Sequence, residues 1–279
     1  MAIGFTRHVY LKLCPLTALR TYRFAAALTH SDQSTRYTPI LDITRPELKE
    51  TVALYRVVNQ DGFASSPDSE PTLAKADLLQ MFRTMVLLNT MDRIMFESQR
   101  QGRISFYMTN YGEEACQVGS AFALDKGDLI YGQYREAGVL LSRGMTLEQM
   151  MDQCYSNVND CCKGRQMPVH YGSLDANFST ISSPLATQVP VAVGSAYSYK
   201  LARNGQVVAC YFGEGASSEG DTFVALNFAA TLRCPILFIC RNNGYAISTP
   251  ANEQYRGDGI VWGIIAPATT VWPTELPRR

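Results

Sequence analysis

Apolar positions recur with two different periods along this chain. Leu78, Leu79, Phe82, Met85, Val86, Met91, Met95 and Phe96 repeat at helical spacing and predict a helix over 73–96, its methionines filling core gaps. Glu113 and Glu114 suit a helix N-terminus, and Ala115, Gly119, Ser120 and Ala123 behind them permit close packing. Thr146-Leu-Glu-Gln149 has the form of a capping box and predicts a third helix. Residues 189–203 read as a helix with Lys200 and Arg203 in its last turn, ended by Asn204-Gly205. Continuous apolar runs then predict buried strands over 207–212 and 235–240, separated by a small-residue loop, 213–220, and a helix over 221–232. Helix, strand, loop, helix, strand is a βαβ unit, so the fold class is α/β with a parallel sheet flanked by helices. Residues 31–71, with Pro39, Pro46, Pro67 and Pro71 and turn signals at Asp61-Gly62 and Ser65-Ser66-Pro67, predict an extended arm.

Composition narrows the function. The 279 residues are 46% hydrophobic, enough for a full core. Lys+Arg and Asp+Glu are 25 each, a balance without the basic excess of a nucleic-acid binder or an electrostatic attraction to membranes. No apolar run approaches the roughly 20 residues of a spanning helix. The eight cysteines, at 14, 116, 154, 161, 162, 210, 234 and 240, form no C-x-x-C pair or zinc spacing. Cys210 and Cys240 lie in strand-like runs and read as buried hydrophobes, and adjacent Cys161-Cys162 would bridge only with strain. A reducing compartment follows. Residues 1–31 carry Arg7, Lys12, Arg20 and Arg23 but no acid, the composition of a mitochondrial transit peptide, which predicts the mitochondrial matrix.

In a parallel sheet, ligands gather at the carboxyl ends of the strands. The first predicted strand delivers Glu214 between Gly213 and Gly215, which let the backbone approach a ligand; the second delivers Asn242 and Asn243, then Gly244 and Tyr245. A carboxylate with an amide oxygen is an oxygen-only donor set that suits Mg²⁺, which completes its octahedron with phosphate oxygens and water. The loop is neither a dinucleotide fingerprint, since Ser218 stands where a glycine is needed, nor a Walker loop. It reads as a metal-bridged diphosphate cradle.

Gly213-Glu-Gly215 through Asn242-Asn243 resembles the thiamine-diphosphate motif of thiamine-dependent enzymes, with Glu in place of the commoner Asp. The wider match, over residues 55–260, is to the alpha subunits of branched-chain 2-oxo acid dehydrogenases. It rests on Arg103-Ile-Ser-Phe-Tyr-Met-Thr-Asn-Tyr-Gly-Glu113-Glu114, Gly132-Gln-Tyr-Arg-Glu-Ala-Gly138, Gly164-Arg-Gln-Met-Pro-Val-His-Tyr-Gly172, Ile181-Ser-Ser-Pro-Leu-Ala-Thr-Gln188 and Arg241-Asn-Asn-Gly-Tyr-Ala-Ile-Ser-Thr-Pro250. The resemblance implies a thiamine-diphosphate-binding fold. It implies that Glu214, Asn243 and the Tyr245 carbonyl hold Mg²⁺, and that Gln133, Tyr134, Arg135, Gly213, Gly215, Ala216 and Arg241 surround the diphosphate. Arginine pairs with phosphate in a forked geometry, which suits Arg135. Ser183 and Leu185 would border the thiazolium and pyrimidine rings, with Leu185 propping the bent cofactor. Ser182, Pro184, Thr187 and Gln188 resemble the family's potassium-binding turn. Phe106, with Tyr134 and Ser183, would face the branched substrate. His170, the sole histidine beyond residue 30, reads more readily as a hydrogen-bonded structural residue.

The implied activity is oxidative decarboxylation of branched-chain 2-oxo acids with acyl transfer to a lipoyl arm on a transacylase core, in branched-chain amino acid catabolism. The glutamate that activates the cofactor comes from a beta subunit in this family, which implies two alpha and two beta chains; no catalytic residue is assigned to this chain. The expected organisation is 1–45, transit-like segment and arm; 46–260, thiamine-diphosphate domain; and 261–279, a tail unlike the family, whose members continue with further strands, a catalytic histidine and a phosphorylated loop. The alternatives are a non-catalytic truncated subunit that binds the beta chain, with strand edges prone to aggregate, and a pyruvate- or acetoin-type relative.

Overall fold

The computed structural model describes residues 39–41, 53, 55–64, 71–255 and 260; the transit-like segment 1–31 and the tail 261–279 lie outside them. Contacts within the chain divide it after Arg45. Of the first unit, residues 39–41 are described, and they are exposed.

In the second unit, Asp61-Gly62 forms the expected turn: Asn59 Oδ1 accepts from the Asp61 and Phe63 N–H groups, and Gly62 takes a φ of 86°. The regular elements that follow are α1 (Lys75–Arg100), α2 (Glu114–Phe122), β1 (Leu129–Tyr131), α3 (Ala137–Ser142), α4 (Leu147–Cys154), α5 (Gln188–Ala202), β2 (Val208–Gly213), α6 (Glu214–Ser217), α7 (Gly220–Leu232) and β3 (Ile236–Arg241). A two-stranded antiparallel ribbon, β4 (Tyr245–Ala246) with β5 (Thr249–Pro250), and α8 (Ala251–Gln254) complete the list of described elements.

β1, β2 and β3 form a parallel sheet in that order, with Tyr131 opposite Cys210 and Gly213 opposite Arg241. Alternation along β2 sends successive side chains to opposite faces. Ala209 and Tyr211 join the core of α1, α3 and α4 with Leu88, Met95, Leu140 and Met150; Val208, Cys210 and Phe212 join the core of α5 and α7 with Val189, Ala192 and Ala225. Both faces are therefore covered by helices, which is why β2 reads as an unbroken apolar run.

Several elements depart from the sequence expectation. The sequence pattern does not predict β1: three apolar residues carry no periodicity, and β2 supplies the pairing that makes them a strand. The 213–220 loop contains the single helical turn α6. β3 is half-buried rather than buried, because it is the outer strand among the described residues, and Leu237 is half-exposed. In α1 the buried line is Thr84, Leu88, Met91, Asp92, Met95 and Ser98, whereas Leu78, Leu79, Phe82 and Val86 are exposed. The Thr146 capping box is present in full: its hydroxyl accepts from the Gln149 N–H at 3.2 Å, and Gln149 Oε1 accepts from the Thr146 N–H at 2.9 Å.

Candidate active site

The carboxyl ends of all three parallel strands meet at one place. β1 runs on into Gly132-Gln133, β2 ends at Gly213 with Glu214 opening α6, and β3 ends at Arg241, in register with Gly213. Gln133 is buried and its Oε1 accepts from the Gly213 N–H at 2.6 Å, tying the first tip to the second. A methyl group on Gly215 would come within 2.7 Å of Ala246 Cβ, so this glycine lets α6 lie against β4. The backbone around Glu214 and the 243–246 segment thus share one end of the sheet.

Glu214 is 1% exposed, and its Oε1 is, among the described residues, the one buried side-chain polar atom with no hydrogen-bond partner. A buried carboxylate oxygen facing no donor is costly unless a cation compensates it. This is the observation that fits a divalent metal.

Beside it lies a buried charge cluster. Arg241 Nη1 pairs with Glu113 Oε2 at 2.5 Å, and Arg241 Nε donates to Glu136 Oε1. The second Glu136 oxygen accepts from the Gln133 N–H. Burial works to lower the Arg241 value, but Glu136 and Glu113 outweigh it and hold the guanidinium above its ordinary value. Burial likewise pushes the Glu136 carboxyl up, against the pull of Arg241. Glu113 Oε1 also accepts from Asn243 Nδ2 at 3.0 Å, while Asn243 Oδ1 accepts from the Tyr245 N–H at 3.1 Å. Asn243 and Tyr245 are exposed. Arg135 is half-buried, with Nη1 donating to the Thr109 carbonyl at 3.0 Å.

An aromatic group forms a second wall. Phe106, Tyr134 and His170 sit with ring centroids 6.1–6.5 Å apart, Phe106 edge-on to Tyr134. His170 is buried and has Nδ1 3.0 Å from the Pro168 carbonyl and Nε2 2.8 Å from Ser183 Oγ. A carbonyl only accepts, so Nδ1 carries a proton and Nε2 faces the Ser183 hydroxyl, which can donate or accept. The turn that delivers His170 is strained: Val169, a β-branched residue, takes a φ of 61°. Such strain costs about 1–3 kcal/mol and clusters at functional sites. His170 therefore touches Phe106, Tyr134 and Ser183, three of the expected site residues.

In the 182–188 turn, Thr187 Oγ1 lies 2.9 Å from the Pro184 carbonyl and 3.2 Å from Ser182 Oγ, so three of the expected potassium oxygens cluster. Gln188 differs: it is buried and its Nε2 donates to the Tyr211 carbonyl at 3.0 Å, anchoring the turn to β2. Leu185 is half-buried against the α5 core, and Ala216 is buried in the same core. Cys161 and Cys162 remain free thiols, their sulfurs 3.9 Å apart. Two residues that organise the site, Glu113 and Glu136, received no site role from the sequence. Glu113 read only as a helix N-terminus, and nothing local announces that Glu136 reaches residues 105 positions away.

Fold and donor set together define the class: a parallel α/β chain of the thiamine-diphosphate-binding type, with an oxygen-lined site at its strand tips. Sequence comparison agrees. The dehydrogenase E1 component family matches residues 82–271, and the chain belongs to this thiamine-dependent family. It is 60% identical over 227 residues to the mouse 2-oxoisovalerate dehydrogenase subunit alpha, mitochondrial, covering 81% of this chain and 51% of that protein. The human subunit of the same name is 61% identical over 220 residues, 79% and 49% of the two chains. Subunit alpha 2 of Arabidopsis thaliana is 48% identical over 225 residues, 81% and 48%. The chain spans about half the length of the curated relatives it matches.

Proposed function

We propose that this chain acts as the alpha subunit of a mitochondrial thiamine-dependent dehydrogenase that oxidatively decarboxylates branched-chain 2-oxo acids and passes the acyl group to a lipoyl arm. The observation that carries the reading is the unpartnered, buried Oε1 of Glu214 at the tip of β2, in a chain about 60% identical to alpha subunits named for 2-oxoisovalerate.

Glu214, Asn243 and the Tyr245 carbonyl are the proposed Mg²⁺ ligands. Gln133, Tyr134, Arg135, Gly213, Gly215, Ala216 and Arg241 would surround the diphosphate. Bound thiamine diphosphate supplies a nucleophilic carbon and an electron sink for decarboxylation. The chain's own residues bind, orient and exclude water. Burial of Glu214 keeps competing water from its free oxygen. His170 Nε2, 2.8 Å from Ser183 Oγ, would hold this hydroxyl in place beside the cradle. Phe106 and Tyr134 give a branched aliphatic group an apolar wall. Leu185 would support the cofactor, and Ser182, Pro184, Thr187 and Gln188 would hold K⁺. The organisation proposed is 1–45 leader and arm, 46–260 cofactor domain and 261–279 tail.

A beta subunit, in an assembly of two alpha and two beta chains, and a lipoyl-bearing transacylase are the proposed partners. Helices α5 and α7 support this, because Val191, Leu201, Val224 and Phe228 are all more than half exposed. The test is decarboxylation by the chain reconstituted with a beta subunit, followed with an artificial electron acceptor. The expected result is turnover of 3-methyl-2-oxobutanoate in clear preference to pyruvate. Pyruvate preference would overturn the substrate assignment, and beta binding without turnover would make the chain a non-catalytic subunit.

A further inference from the structure

Three residues proposed to contact the diphosphate, Gln133, Gly213 and Arg241, sit on three different strand tips. Their relative placement decides whether one anion can touch all three, and a misplacement of about 1 Å is costly at such a site. Backbone pairing fixes Gly213 against Arg241 in register, but Gln133 lies beyond the last β1 pair, and the Arg241 side chain is free of the ladder. Something else must hold them.

We infer that Glu136 is the positioning residue of the diphosphate cradle, one buried carboxylate that clamps the tips of β1 and β3 and, through Gln133, the tip of β2. This rests on the cofactor reading above. Glu136 is fully buried. One of its oxygens accepts from the Gln133 N–H, and the other accepts from Arg241 Nε. Gln133 then passes the constraint on, its side-chain oxygen accepting from the Gly213 N–H at 2.6 Å. The two oxygens of a carboxylate are rigidly spaced, so the Gln133 backbone and the guanidinium cannot shift independently.

Two further features fit this role. The carboxylates take Nε and Nη1 of Arg241, and neither takes Nη2, which leaves a charged donor for an anion. The site is also cut to admit Glu136: a methyl group on Gly132 would lie 3.2 Å from Glu136 Cβ and 2.7 Å from Phe178 Cζ, so glycine at 132 lets Glu136 fold back beneath β1. Both Glu136 oxygens are taken by Gln133 and Arg241, so it acts through these two residues rather than on a ligand directly.

The test is calorimetric titration of the full chain, alone and with its beta partner, with thiamine diphosphate in saturating Mg²⁺. Glu136→Gln keeps the volume and removes the charge; its single amide oxygen can accept from the Gln133 N–H or from Arg241 Nε, but not from both. The expected outcome is at least a tenfold weaker Kd. Glu136→Asp keeps the charge one methylene short and should recover part of that loss, with far-UV dichroism unchanged. In an Arg241→Gln background the Glu136→Gln step should cost less than threefold, because its main route is already cut. Wild-type affinity in both Glu136 variants, or the same fold-loss in both backgrounds, would overturn the inference and leave the cofactor reading intact. If Glu136→Gln does not fold, the Glu136→Asp result decides alone. A wild-type chain that binds no thiamine diphosphate in either form would sink the cofactor reading and the inference with it.

Discussion

At the scale of single residues, two buried carboxylates in this chain have opposite fates. Glu214 has an oxygen that no donor satisfies, and Asp92 is saturated: it accepts from Tyr107 Oη at 2.8 Å, the Asn110 N–H at 2.5 Å and Asn110 Nδ2. The unsatisfied one is the ligand-like one. Glu214→Gln replaces an orphaned charge with a neutral amide, so the cofactor-free chain should gain stability, by about 1 kcal/mol or more. The same change should abolish the rise in melting temperature that Mg²⁺ and thiamine diphosphate produce together. A cofactor-free variant less stable than wild type would count against an unpaired charge. For Asp92, burial raises the carboxyl above its ordinary 3.8, against the pull of the Asn110 and Tyr107 hydrogen bonds. The folded chain then holds the proton more tightly than the unfolded one. That contribution to stability is full below 3.8 and is lost as pH rises through the folded value. The melting temperature of wild type minus that of Asp92→Asn should therefore grow as pH falls from 7 toward 4; a flat difference would show that Asp92 titrates normally.

Among elements, α6 is the hinge of the design. A single turn places Glu214 at the end of β2, the Thr222 hydroxyl donates to the Ala216 carbonyl at 2.8 Å to bind this turn to α7, and Gly215 lies against Ala246. Gly215→Ala should push α6 off β4, destabilising the chain by roughly 1–3 kcal/mol and weakening cofactor binding more than it lowers stability. An unchanged affinity would mean the ribbon does not set the site. β2, α5, α7 and the capped α4 were legible because each carries a signal within its own residues: an apolar run, a helical repeat, a Thr-x-x-Gln pair. β1 and α6 were not, since three or four residues take their conformation from neighbours distant in sequence. In the site, Glu214 and Asn243 stood out by chemical type and by their place after two strands. Glu136 and His170 did not, because their roles depend on partners such as Arg241 and Ser183 that only the folded chain brings near.

At the largest scale, the described residues of the second unit stack in three layers, and the middle layer ends in one oxygen-lined corner. Helices cover both faces of the parallel sheet, while α5 and α7 keep Val191, Leu201, Val224 and Phe228 exposed on the outside. The proposed function rests on one divalent ion held between Glu214 and Asn243 at the strand tips. The direct measurement is anomalous diffraction from crystals grown with Mn²⁺ and thiamine diphosphate. The expected result is a single manganese peak about 2.1 Å from Glu214 Oε1 and Asn243 Oδ1. A peak elsewhere, or Glu214 and Asn243 facing opposite sides of the sheet end, would contradict it.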